Sequence, residues 1–153
     1  MGKIYDNAKS PQEVFTMSSA IQFNSAEAFA AIALIAVAAD GYITGSESQA
    51  ITTTFSRMQL FSDYSGEKMR GMIDQLLNQL QAQGADILLK EAVKKLPHEL
   101  RETAFAVVTD ITLADGVITE EEEALLDKLF NVLEISEPMA NNIIDVMLIK
   151  NKG

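Results

Sequence analysis

The chain reads as all-α, a single compact helical domain of about seven to eight helices, and three observations carry that expectation. Apolar residues recur at i, i+3, i+4 and i+7 along almost the whole length. Capping residues (Ser10, Ser25, Thr44, Ser65, Thr119 and Ser136) stand just before most of those periodic runs. The only stretch with strand-like propensity, Thr52-Thr53-Thr54, lies inside a helical pattern. A length of 153 residues is one domain's worth, enough for folding to bury roughly 70% of the unfolded surface.

The elements follow in order. Pro11 suits a first helical turn after Ser10, opening a helix through about Ile21 with Val14, Phe15 and Met17 inward. Ser25 is placed to cap a second helix, about Ala26 to Ala39, whose alanines permit close approach while Phe29, Ile32, Leu34, Ile35 and Val37 supply volume. Its apolar run is too short to span a bilayer and predicts a helix buried on nearly all sides. Thr44 opens a third helix to about Leu60, with Ile51, Phe55 and Met58 on one face. Ser65 opens a fourth, with Met69, Met72, Ile73, Leu76, Leu77 and Leu80 inward, stopped by Gly84. A short helix from Asp86 to about Leu96 turns Ile87, Leu88 and Val93 inward, and Pro97 starts the next, to about Leu113. Thr119 opens a helix to about Leu133. Ser136 caps the last, with Pro138 in its first turn and Ile143, Ile144, Met147 and Leu148 inward. Residues 1–24 form an N-terminal arm and helix packing on the domain, and residues 25–150 are the domain itself.

One segment occurs twice. Ala39-Asp40-Gly41-Tyr42-Ile43-Thr44-Gly45-Ser46-Glu47 returns as Ala114-Asp115-Gly116-Val117-Ile118-Thr119-Glu120-Glu121-Glu122, both reading A-D-G-x-I-T-x-x-E. The match extends outward, Glu27 with Glu102, Ala31 with Ala106 and Phe55 with Phe130, defining repeats of about 26–63 and 101–138. Part of the signature is helix punctuation. Glycine terminates helices in the left-handed conformation. Threonine followed three residues later by glutamate is a capping box, worth about 1 kcal/mol. Ile43 and Ile118 are expected to point into the core between the repeats.

Punctuation does not require Asp40 and Asp115. The pattern D-G-x-I-x-x-x-E is the second half of an EF-hand loop, but Ala36 and Ala38, or Ile111 and Leu113, stand where its first ligands belong, so an EF-hand is excluded. If the two turns meet, Asp40, Glu47, Asp115 and Glu122 converge, and four carboxylates repel unless solvated or bridged by a cation. Oxygen donors of this kind suit Ca²⁺ or Mg²⁺ better than Zn²⁺. The competing reading, capping alone, remains open.

Composition excludes several function classes. The net charge of −10 leaves no basic stripe for a phosphate backbone, so no nucleic acid is expected. No cysteine means no disulfide and no thiol nucleophile, and favours the cytoplasm, as does an N-terminal stretch lacking the apolar core of a signal peptide. Asp6 breaks the myristoylation pattern that Gly2 begins. His98, the only histidine, follows Pro97 at a helix start and reads as exposed. It leaves no zinc constellation and no nucleophile–base pair, and no enzyme is expected. The run Glu120 to Glu123 suits the positive end of a helix dipole, and the seven methionines read as core filler. Asp110, among Val107, Val108 and Ile111, reads as a buried, partnered carboxylate.

At Ala38-Ala39-Asp40-Gly41 and Leu113-Ala114-Asp115-Gly116, with their capped helices, the chain resembles the TerB family of tellurite-resistance proteins, over about Ser25 to Lys150. The first copy matches the family pattern throughout, whereas the second has Leu113 for the first alanine. The resemblance implies a cytoplasmic, non-catalytic helical domain. It also implies an acidic site for a divalent cation, here Asp40, Glu47, Asp115 and Glu122, with Glu121 and Glu123 beside it. It further implies stress-response protein partners, membrane-associated resistance proteins among them, without direct membrane insertion. The alternative is an interaction or scaffold domain of the cochaperone kind with no metal site. Gly45 and Ser46 stand where the second copy has Glu120 and Glu121, so the first turn is the less acidic and a symmetric pair of sites is not expected.

Overall fold

In the computed structural model, residues 22–38, 41–114 and 117–152 are described. The expected helix over residues 11–21 lies outside them. Among the described residues there are seven α-helices, two short 3₁₀ turns and no strand.

Helix α1 (Ser25–Val37) is the centre of the domain. Every residue from Ala28 to Ile35 is at most 2% exposed. A helix apolar all round must be surrounded, and α1 packs against four others: α2 (Gly45–Ser56), α3 (Gly66–Gln83), α4 (Ala85–Lys95) and α5 (Arg101–Thr112). Its cap is Asn24, not the expected Ser25. The Glu27 amide donates to Asn24 Oδ1 at 2.7 Å, and Glu27 Oε1 accepts from the Asn24 amide at 3.0 Å. Only a cap at 24 puts a glutamate three residues on. A cap at Ser25 would put Ala28 there, which cannot return the bond.

Helix α2 ends at Ser56, short of the expected Leu60. Met58 is extended, and a 3₁₀ turn over Gln59–Phe61 follows. Six positions on in a continued helix, Phe61 would lie roughly 120° around the axis from Phe55. The break instead stacks the two rings, centroids 4.5 Å apart, with Phe29 edge-on to both at 6.2 and 6.3 Å. All three rings are at most 2% exposed.

Helix α3 buries the six residues its spacing predicts, and Gly84, at φ +90°, separates it from α4. In α4 the buried residues are Leu88, Leu89 and Ala92, so Ile87, expected inward, is 55% exposed. The inward stripe at 88, 89 and 92 leaves position 87 to one side of it. Pro97 opens a 3₁₀ turn (His98–Leu100) rather than the helix itself, and α5 begins at Arg101. Arg101 Nη1 donates to the Leu133 carbonyl at 3.2 Å and pairs with Glu134 at 3.3 Å. That ties the start of α5 to the end of α6 (Glu120–Val132). Glu134, at φ +56°, turns the chain into α7 (Glu137–Lys150), which lies on α5. Ala140 is buried and Ile143, Ile144 and Met147 are half-buried, but Leu148, expected inward, is exposed. The side of α7 that carries Ala140, Ile143, Ile144 and Met147 is the covered one, and Leu148 lies off it. Lys128 of α6 pairs with Asp86 at the start of α4, and that hydrogen bond, with the ammonium charge, holds the exposed Asp86 carboxyl below its ordinary range.

Candidate functional site

Each turn is built from its capping box upward. Thr44 Oγ1 accepts from the Glu47 amide at 3.1 Å, and Glu47 Oε1 accepts from the Thr44 amide at 3.0 Å. The second turn repeats this: Thr119 Oγ1 accepts from the Glu122 amide at 3.1 Å, and Glu122 Oε1 from the Thr119 amide at 2.9 Å. The boxes expected at both threonines are therefore present. Each leaves the second carboxylate oxygen without a hydrogen-bond partner among the described residues.

The first turn is held by a contact that sequence does not show. Gly41 is buried at φ +88°, its amide donates to the Ala38 carbonyl at 2.8 Å, and Gln81 Nε2 of α3 donates to its carbonyl at 2.8 Å. A Cβ on Gly41 would collide with the Gln81 side chain, so glycine serves both the backbone and the close approach of α3. Ile43 packs against the core as expected. Ile118 does not; it is 40% exposed. The described residues around the second turn hold no counterpart to α3 that would cover it.

Glu47 and Glu122, both half-buried, line one cleft of about 610 Å³. Its walls come from the end of α1 (Ala36, Val37), from α2 (Ala50, Thr54) and from the end of α5 (Asp110, Ile111). Asp40 and Asp115 lie outside the described residues. Among the described residues no three His, Asp or Glu side chains stand close enough together to share a metal ion.

Asp110 lines the same cleft. It is half-buried and partnered, accepting from Lys150 Nζ at 3.2 Å and from Asn151 Nδ2 at 2.9 Å. Lys150 and Asn151, at the end of α7, line the cleft too, and the Lys150 ammonium gives it a positive charge. Sequence reading missed both, since a lysine and an asparagine at a helix end carry no signal until the fold sets them against α5. His98 is exposed in its 3₁₀ turn, in a separate shallow cleft with Glu99, Arg101 and Glu134. Of the run Glu120 to Glu123, all but Glu122 are exposed in the first turn of α6, where the helix dipole favours them.

No helix of the described residues is long and apolar enough to cross a membrane. No curated protein and no solved structure matches the chain. A family model does. The model for tellurite resistance protein TerB matches residues 26–143, from the first turn of α1 into α7, and covers both capped turns and the cleft lining except Lys150 and Asn151. The chain therefore belongs to the TerB family.

Proposed function

We propose that this chain is a non-enzymatic TerB-type resistance module that binds a divalent cation, Ca²⁺ or Mg²⁺ in preference to Zn²⁺. It acts in the cytoplasm through protein partners, in resistance to tellurite or a related stress. The observation that carries the cation reading is the pair Glu47 and Glu122. They come from opposite halves of the chain, line one cleft, and each keeps an oxygen that no described residue bonds. Two such oxygens are too few for a hard ion that takes six or more. Asp40 and Asp115, each adjoining its turn glycine, are the further ligands the reading requires. The donor set is all oxygen, with no cysteine in the chain and His98 in another cleft, which is why zinc ranks last. When bound, the ion would neutralise the carboxylates and tie the two turns together. The residues' own part is to hold those oxygens at capped, rigid helix starts.

Calorimetric titration of chelator-stripped protein with Ca²⁺, then Mg²⁺ and Zn²⁺, tests this. Saturable binding near one ion per chain is expected, and at a hundredfold the dissociation constant it raises stability by about 2.7 kcal/mol. Asp40→Asn combined with Asp115→Asn should remove the response and keep the fold, because neither residue is a cap. No binding up to millimolar ion leaves the second reading, an interaction domain without a metal. One observation favours that alternative: Lys150 already brings a positive charge into the cleft, on Asp110.

A further inference from the structure

Beside the acidic cleft, and sharing Ala36 and Glu122 with it, runs an apolar groove of about 350 Å³ between the end of α1 and the first half of α6. Ile35, 2% exposed, forms its floor, and Ala36, Ala124 and Leu125 form its walls. Its rim is acidic: Glu121 and Glu122 line it, and Glu120 and Glu123 flank them on α6. The one cation in the lining among the described residues, Lys128, is already paired with Asp86. Ile118, exposed, stands just before α6.

From this arrangement we propose that the α1–α6 groove is a docking site for a basic amphipathic helix of a partner protein. The proposal rests on the reading that the protein acts through partners, and it names the partner's chemistry. Charge decides among the occupants. A second copy would bring another net charge of −10 to an acidic rim, and an anionic membrane surface would be repelled in the same way. A segment with apolar side chains on one face and Lys or Arg along its edges satisfies both floor and rim. Secondary structure favours the mode. The described residues contain no strand and so offer no sheet edge for an extended peptide to join. An apolar groove between two helices suits the i, i+3, i+4 face of a helix.

The test uses a dye-labelled amphipathic helical peptide of leucine and lysine, with a scrambled peptide of the same composition, and anisotropy read on the whole chain in the presence of chelator. The amphipathic peptide is expected to bind, and to weaken as salt rises. Ala124→Arg, at an exposed position that does not threaten folding, and Glu121→Lys should each weaken it about tenfold. Amide shift changes on binding should centre on Ile35, Ala36, Ala124 and Leu125. Equal binding of the scrambled peptide, unchanged affinity in both variants, or shifts confined to α7 would overturn the proposal. Chelator keeps this outcome separate from the cation reading. Calorimetric ion titration of the Ala124→Arg variant, in which ion binding should persist, shows whether the two succeed or fail apart.

Discussion

The turn before α2 and the turn before α6 carry the same signature and the same reciprocal cap, yet they sit in different surroundings. At the first, Gly41 is buried under α3, Gln81 bonds its carbonyl, and Ile43 packs on the core. At the second, Ile118 is exposed and four glutamates follow at once. The flanking matches diverge in the same sense. Glu27 completes a capping box on α1, whereas its match Glu102 lies in a first turn with no side-chain cap. Ala31 is fully buried, but Ala106 is half-buried. Phe55 is fully buried in a three-ring cluster, and Phe130 is half-buried. The lesson is that capping travels with a short stretch of sequence, because its partners are three residues away. Burial does not travel, because it is decided by which helix passes overhead.

The comparison can be broken most sharply at the phenylalanines. Phe55→Ala should cost about 3–5 kcal/mol in denaturant unfolding, since it empties a fully buried site. Phe130→Ala should cost no more than about half as much, its ring being partly in water already. Equal losses would mean that the two halves bear equal shares of the core after all. Gly41→Ala comes next, at about 1–3 kcal/mol, from a residue forced to positive φ and from displacement of Gln81. A neutral result in thermal melts would show that α3 does not press on the first turn. Smallest are the caps. Thr44→Ala and Thr119→Ala should each cost about 1 kcal/mol and should match within error, because the two boxes have nearly the same geometry. A clear inequality would show that tertiary contacts, not the local bonds, set their worth.

The capping geometry at the two turns is legible in the sequence. Thr44 with Glu47 and Thr119 with Glu122 were readable because a capping box is a rule about spacing. Asp110 was readable as an oddity among apolar neighbours. Gln81, Lys150 and Asn151 were not, since each acts on a residue some forty positions away, Gly41 for the first and Asp110 for the others. No local pattern marks such a meeting. The misplacements have the same origin. Ser25 has the right residue type for a cap, but only Asn24 has a glutamate three residues on. Periodicity alone carries α2 to Leu60, whereas the helix ends at Ser56 and Phe61 stacks on Phe55. Apolarity alone points Ile87 and Leu148 inward, yet both are exposed among the described residues.

By itself the sequence determined the all-α class, the central buried helix, the two capped turns and the acidic balance. Each of these depends on residues within a few positions of one another or on composition. Only the tertiary structure decided that Glu47 and Glu122 share a cleft, that Lys150 enters it, and that an apolar groove lies beside it between α1 and α6. Those are meetings of distant segments. Helix periodicity says that a face must be covered, but the packing of the whole chain determines what covers it.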